Sequence, residues 1–481
     1  MRYRSILISL FIFPYLVVAQ QRVTFDVDKL RRGNIEKGFA SLNTCWLVDS
    51  DIHYTKKVSN AVRFSEMRLK SLRFPYGHMA DNYLWDTPPF GSSPLQPKVG
   101  TTARPPYWQW GVNKEDGSFK KAMDFDEFMD ICQKRRIEPL VVVNVFSYKY
   151  KNGPSYEELK QTAVEWVRYA KKKNYKVAYW EIGNEIDHHQ DELSKKEYMA
   201  LYRDFVEAMK AIDPTIKCGP GILGTHHYLY SILKEMPQLV DFTTAHQYLF
   251  RPPFKKYEDW VAHDGSNLNS NIKKLQIVVN TSTKPDLPIL ITETNVFGNW
   301  DDNKLELYKG LSLFDLLLSQ QEYDDVSYSY LWGSHSPYNR KVGAEDIACT
   351  FTNDVQNNFT ITGEIMKILN KTTQQKLMIP NQKVNNNIYS YGTYTPKTRN
   401  ASMYFINKSL NTSKIEVHIE GYTPNKKFES WVFTGSSPHD PKPTLSQYSK
   451  LTVSKSGFKA SLPPYSLVIV KLSSKSTKKF K

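Results

Sequence analysis

The sequence predicts an α/β fold: a (β/α)8 TIM barrel followed by a C-terminal antiparallel β-sandwich domain. Two observations carry that expectation. Eight apolar, strand-like runs alternate with segments of helical period up to about residue 371 of the 481-residue chain, and from about Thr372 the pattern changes to short alternating runs separated by Asn, Gly and Pro turns. A chain of this length also exceeds the ~250–300 residues over which one core grows, so a large domain and a smaller one are expected.

The elements follow in order. Residues 1–19 have a basic start (Arg2, Arg4), an apolar stretch from Ile6 to Val18 and the small-residue signal Val17-Val18-Ala19, which together read as a secretory signal peptide. The barrel is expected over residues 20–371. Its candidate strands are Gly38–Leu42, Ser71–Pro75, Pro139–Phe146, Val177–Glu185, Lys217–Leu223, Phe242–Leu249, Pro288–Glu293 and Val326–Gly333. Helical spacing fills several of the gaps: Phe125, Phe128, Met129, Cys132; Leu159, Ala163, Trp166, Val167, Ala170; Tyr198, Leu201, Tyr202, Phe205, Met209, Ile212; and Leu307, Leu311, Phe314, Leu318. The Pro-, Gly- and Trp-rich stretch Tyr83–Phe119 is too long for an ordinary connection and is expected to wall a cleft. The sandwich is expected over residues 372–475, with strands at Ile388–Tyr391, Ala401–Ile406, Ile415–Ile419, Glu429–Phe433 and Ser466–Leu472, and residues 476–481 form a basic tail. No Gly/Ser- or Pro-rich spacer separates the two domains, so they should pack directly.

Composition narrows the class. Hydrophobic residues at 40% and charged residues at 23% are ordinary for a soluble globular protein, while 13% aromatics is high and suits a surface that stacks on sugar rings. After the leader no segment offers the ~20 apolar residues of a membrane span, so a secreted product without a span is expected. The formal net charge of +15 is dispersed, apart from Lys171-Lys172-Lys173 and the tail, and fits a solvated surface or an acidic partner. No helix-turn-helix, zinc-finger or RNA-binding pattern appears, and nucleic acid is not expected as a partner. Cys45, Cys132, Cys218 and Cys349 are too widely spaced for a zinc site or a disulfide scaffold; buried thiols are the default, with one or two disulfides open. Asn-x-Ser/Thr sequons stand at Asn280, Asn358, Asn370, Asn400, Asn407 and Asn411, acceptors in a eukaryotic host.

The candidate chemistry lies at strand ends. The run Val177-Ala178-Tyr179-Trp180 delivers Asn184-Glu185, and Pro288-Ile289-Leu290-Ile291-Thr292 delivers Glu293. Two carboxyl groups at one barrel mouth are what glycosidic bond cleavage needs, one to protonate the leaving oxygen and one to attack or to activate water. Around them stand Arg73-Phe74-Pro75-Tyr76-Gly77-His78, then Ala245-His246-Gln247-Tyr248, then Tyr330-Leu331-Trp332-Gly333-Ser334.

In these motifs the chain resembles the retaining glycoside hydrolases of clan A, most nearly the α-L-arabinofuranosidases, which carry an Arg-aromatic-Pro-Gly-Gly-Asn segment after strand two, Gly-Asn-Glu after strand four and a Glu nucleophile after strand seven. The likeness runs from about residue 36 to Leu462-Pro463-Pro464-Tyr465-Ser466-Leu467. It implies Glu185 as acid/base, Glu293 as nucleophile, Asn184 as the partner of a sugar 2-hydroxyl, and Arg73 and Tyr248 as contacts of the nucleophilic carboxylate. His78, His246 and Trp332 are expected in the substrate pocket. Asn144, ending strand three, either binds substrate or braces backbone at the mouth. Tyr76 and His78 replace the family's Gly and Asn, and Thr294 stands where Trp is usual, so the sugar is less defined than the catalytic pair.

A cation and a phenol should keep Glu293 ionised, while a dry setting and the charge of Glu293 should raise the pKa of Glu185. The doublets His188-His189 and His226-His227 lack a completing acidic cluster, so neither a metal nor a cofactor is expected. The expected partner is a polysaccharide or oligosaccharide, cleaved in the arabinofuranosidase manner. An endo-acting, agarase-like glycanase for algal or acidic polysaccharide is the alternative, and a non-catalytic carbohydrate-binding barrel is an alternative of another class.

Overall fold

The structure is a computed structural model that describes residues 21–86, 122–149, 153–188, 193–249, 256–263, 268–296, 305–336, 349–380 and 387–474. The expected signal peptide, most of the stretch Tyr83–Phe119 and the basic tail lie outside the described residues.

Eight parallel strands form the larger sheet: β2 (Ala40–Asn43), β3 (Ser71–Phe74), β4 (Glu138–Val143), β5 (Tyr179–Ile182), β6 (Cys218–Pro220), β7 (Thr243–Tyr248), β8 (Ile289–Asn295) and β9 (Val326–Leu331). Each coincides with one of the eight apolar runs. Their order, β6-β5-β4-β3-β2-β9-β8-β7, is sequential around a ring, with β2 beside β9. The regular ladder lapses between β6 and β7, where Asp241 N donates to Cys218 O (2.8 Å) and His246 N to Leu223 O (2.9 Å). Near-continuous apolar strands covered by helices are what a parallel sheet buried on both faces requires.

The helices form where caps and apolar faces coincide. Ser155 with Glu158, and Ser194 with Glu197, make capping boxes that start the helices Tyr156–Lys172 and Lys195–Ile212. Leu159, Ala163, Trp166, Val167 and Ala170 are buried on the first, and Tyr198, Leu201, Tyr202, Phe205 and Met209 on the second. Helix Leu307–Gln320 departs from the expected amphipathic pattern, because every one of its residues is buried. The second domain covers its outer side: the Phe314 and Tyr404 rings lie 5.2 Å apart, and the amides of Leu307 and Tyr308 donate to Asp440 O and Pro438 O at 2.9 Å each.

Two sequence expectations about the second domain need correction. Residues 20–371 do not all belong to the barrel, since β1 (Gln21–Leu30) runs parallel to β13 (Ser413–Glu420) and antiparallel to β10 (Lys376–Pro380). The domain is also mixed rather than wholly antiparallel: its ten strands form one hydrogen-bonded sheet, consistent with a sandwich, in which the β1–β13 pair is parallel. The sheet folds over a single apolar filling that includes Val23, Phe25, Met403, Phe405, Val417, Phe458, Val468 and Val470. A strand whose partners lie more than 340 positions away leaves no local mark in sequence.

All four cysteines are buried free thiols. Two sequons are structural: Asn370 exchanges both amide groups with the Ala40 backbone, and the buried Asn407 amide donates to the carbonyls of Asn411, Leu462 and Pro463. Neither amide nitrogen is free for a glycan in the folded chain.

Next to Asn407, Lys408 clamps the two domains. Its fully buried ammonium donates to Trp260 O (3.1 Å), His263 O (2.8 Å) and Tyr389 Oη (2.8 Å), and sits 4.0 Å from the Tyr389 ring centre. All three donors are used. Lys408→Met should therefore cost about 3 kcal/mol or more, because it removes three hydrogen bonds made by one buried ammonium. Urea unfolding checks this; a loss below about 1 kcal/mol would show that the clamp is dispensable.

Candidate active site

Arg73, at the end of β3, is completely buried and spends all five guanidinium protons on named acceptors. Nε and Nη2 grip Glu181 at 2.7 and 3.1 Å, Nη1 reaches Asn43 Oδ1 (2.9 Å) and Glu293 Oε1 (3.1 Å), and Nη2 also reaches Asn184 Oδ1 (2.7 Å). One side chain thereby ties together β2, β3, β5, β8 and the turn after β5.

Glu293, on β8, is oriented from both sides. Its Oε1 accepts from Arg73 and its Oε2 from the Tyr248 hydroxyl at 2.6 Å. The backbone of Gly77 presses against it: a Cβ there would lie 2.5 Å from Glu293 Oε1, so only glycine fits. Glu185 stands beyond the end of β5 rather than within it. Gly183 (φ 84°) and Glu185 (φ 49°) form a left-handed turn that lifts the carboxyl to the mouth. For Glu185 that backbone costs about 1–2 kcal/mol, strain of the kind that active sites retain. An oxygen of Glu185, Nδ1 of His246 and an oxygen of Glu293 all lie within 4.8 Å of one another.

His246, on β7, links the two carboxylates to the Arg73 cluster. Nδ1 is 2.7 Å from Glu185 Oε1 and 3.5 Å from Glu293 Oε2, and Nε2 is 3.1 Å from Thr292 Oγ1. The Thr292 hydroxyl gives its own proton to Glu181 Oε1 (3.2 Å), so Nε2 is assigned as the donor to Thr292. Nδ1 and Glu185 then hold one proton between them. Burial drives the Glu185 carboxyl upward, but the hydrogen bond and charge of His246, with His188 and His78, outweigh it and hold the group below the usual carboxylate range. Burial lowers His246, and Glu293 and Glu185 more than restore it, so its value is raised. The expectation that Glu185 would be raised is therefore overturned. It counted burial and Glu293 but not an imidazole at hydrogen-bond distance, and the titration belongs to the pair.

The other expected residues divide. Asn184 Nδ2 is buried with no hydrogen-bond partner among the described residues, a donor held in position by the Arg73 contact. Trp332 is buried at the end of β9 with its ring 5.0 Å from that of Tyr76. Tyr76 adopts φ 126°, and a Cβ on Gly333 would lie 2.4 Å from its hydroxyl, so the tyrosine fills the floor beside Trp332. His78 is half-buried at the start of a short 3-10 turn, and its charge acts on Glu185. Asn144 braces the mouth: its oxygen accepts from the Phe146 and Ser147 amides at 3.2 Å each, and its amide donates to Tyr83 O at 3.3 Å.

Sequence reading missed Glu181, Asn43, Thr292 and Asp81. A glutamate inside an apolar strand was the available signal for Glu181, since a fully buried carboxylate needs a cation. Asp81 is buried near the cluster, and burial, then Glu185, raise it well above the usual range.

The Glu185–His246–Glu293 trio could offer three ligand atoms to a cation. The guanidinium of Arg73 already lies on Glu293 and disfavours a second positive charge there. Arg73→Lys should cost about 3–5 kcal/mol, because three ammonium donors cannot serve acceptors arranged for a planar fork. Denaturant titration is the check, and a change under about 1 kcal/mol would mean that the acceptors find other partners.

Comparison with known proteins bears on the family and the fold. Residues 63–263 match the model of the alpha-L-arabinofuranosidase 1 domain. A probable alpha-L-arabinofuranosidase C of Aspergillus fumigatus is 25% identical over 295 residues, 53% of this chain and 52% of that protein. A beta-xylosidase of Geobacillus stearothermophilus is 28% identical over 128 residues, 24% of this chain and 25% of that protein. The chain thus spans about half or less of the length of the curated relatives it matches. In fold, the alpha-L-arabinofuranosidase of Thermotoga maritima superimposes with a TM-score of 0.71 at 16% identity, covering 94% of this chain and all of that one. By sequence over residues 63–263 and by fold over 94% of its length, the chain resembles the α-L-arabinofuranosidases and related glycoside hydrolases of clan A.

Proposed function

We propose that this chain is an exported, retaining glycoside hydrolase of α-L-arabinofuranosidase type. The observation that carries the reading is the pair of strand-end carboxylates with oxygens within 4.8 Å, one held by Arg73 and Tyr248, the other by His246. Oxygens that close suit a double displacement, in which the carboxyls stand about 5–5.5 Å apart.

In the first step a Glu293 oxygen forms a bond to the anomeric carbon as the glycosidic C–O bond breaks. Glu185 passes the proton it shares with His246 Nδ1 to the departing oxygen. In the second step the pair takes a proton from water, whose oxygen displaces Glu293 from the sugar. Arg73 and Tyr248 fix the line of attack, and the unmatched Asn184 amide is available to a sugar hydroxyl. Endo action is the second reading, favoured by a cavity that continues past His246. The leader-like Met1–Ala19 supports export.

The variants should separate the roles. Glu293→Ala should lose activity about 1,000-fold or more on every substrate, whereas Glu185→Ala should retain far more on 4-nitrophenyl glycosides, whose leaving group needs no proton, than on oligosaccharides. A panel of aryl glycosides and plant and algal polysaccharides identifies the substrate. Inversion in NMR of the first-formed product would refute the retaining mechanism.

The pH dependence has a defined sign. The pair must hold one proton, which it loses as pH rises through the raised value of His246, so the alkaline limb of kcat/KM should lie above the ordinary histidine value of about 6.5. His246→Gln leaves the proton on a lone carboxyl, and the limb should move to lower pH. An unchanged limb in that variant would remove His246 from the proton path.

A further inference from the structure

At the C-terminal rim between β6 and β7, where the strand ladder lapses, the cavity past His246 has a volume of about 490 Å³. His246 and Tyr248 are its shared wall, the same imidazole that touches Glu185 and the same phenol that touches Glu293. The rest of its polar lining is the N-cap Thr225 with His226 and His227 from the first turn of helix His226–Glu235, Asn271 and Lys274 from helix Ser270–Thr281, and Gln247. No aspartate or glutamate is among the described residues that line it. The acid built into the adjoining loop, Asp187, is buried and accepts from the backbone amides of Leu223 (2.7 Å) and Thr225 (3.2 Å), so it braces the loop from behind.

Burial, with the charges of Lys195 and His226, holds the His227 imidazole below its ordinary value, which leaves it a neutral ring at pH 7. Lys274 is the fixed charge in the lining, and it makes no ion pair among the described residues. A lysine beside amide and imidazole donors, with no counter-carboxylate, is a site for an anion that also carries hydroxyl groups. The volume falls within the roughly 300–1,000 Å³ of small-molecule pockets.

We propose that this cavity is a subsite for an anionic sugar, bearing a carboxylate or a sulfate ester, on the unit next to the one cleaved. The proposal rests on the hydrolase reading, whose bond-breaking carboxylates adjoin the cavity. Lys274 would meet the anion, Asn271 and Gln247 the hydroxyls, and the shared wall would couple occupancy to the positions of Tyr248 and His246.

The test is calorimetric titration of the intact protein with trigalacturonic acid, with the corresponding neutral galactose trisaccharide, and with that trisaccharide carrying sulfate esters. The wild type should bind a charged trisaccharide at least tenfold more tightly than the neutral one, and the tighter of the two charged probes identifies the anion. Lys274→Met should reduce the preference to less than threefold while leaving the turnover of a 4-nitrophenyl glycoside, which has no neighbouring sugar, unchanged. Equal affinity for charged and neutral probes in the wild type overturns the subsite, as does a preference that survives in the Lys274→Met/His226→Ala double variant. If no aryl glycoside or polysaccharide is cleaved while the preference is intact, the hydrolase reading falls and the anionic subsite stands.

Discussion

The buried guanidinium of Arg73 is the constraint on which the rest of the site depends. A charge with no solvent around it must find every hydrogen-bond partner inside the protein, and this one finds five, contributed by three other strands and a turn. Because the guanidinium is planar and rigid, satisfying it sets the relative heights of β2, β3, β5 and β8 at the barrel mouth. Glu181 supplies the counter-charge that makes burial tolerable, which leaves Glu293 able to share a proton of the same cation and yet face the pocket. Asn184, pinned by its oxygen, has its nitrogen directed elsewhere. The positions of the Glu185 and Glu293 carboxylates are thus inherited from a structural ion pair one layer deeper.

The same layer reaches the proton. From Glu181 through Thr292 to His246 the hydrogen bonds have a single consistent direction, which leaves one nitrogen of the imidazole facing Glu185. Of the two, the imidazole is the stronger base. A sugar in the pocket would displace solvent and bring its leaving oxygen to Glu185, the setting in which a shared proton moves to the carboxyl. A store of one proton that changes hands serves both halves of a double displacement, since the group that gives the proton must later take one back.

Much of this was legible in the chain. All eight barrel strands are local apolar runs, and the residues of the catalytic pair stand at the ends of two of them. The likeness to known hydrolases supplied the contacts of Glu293 with Arg73 and Tyr248, and both are present in the fold. What sequence did not reveal depends on partners far away. β1 reads as the start of the barrel because its partners stand in the last quarter of the chain. Glu181, Thr292 and Asn43 are ordinary strand residues until Arg73 is placed among them. Asn144 was ambiguous because bracing and binding demand the same amide, and only the positions of the Phe146 and Ser147 amides reveal the bracing. The error over Glu185 has the same origin: a neighbour from another strand reversed what burial alone would do.

The placement of β1 carries a consequence for synthesis. Phe25 pairs with Pro380 and Gln21 with Ile415, so the first described strand has no partner until those later residues have left the ribosome. At about 5–20 residues per second, that interval is tens of seconds. The barrel strands can meet in the meantime, because each lies beside its neighbour in sequence, while Val23, Phe25 and Val27 remain without the sheet that buries them. Val23, Phe25 and Val27 therefore wait for β10 and β13 to be made, and the second domain closes only after the barrel strands have been synthesised.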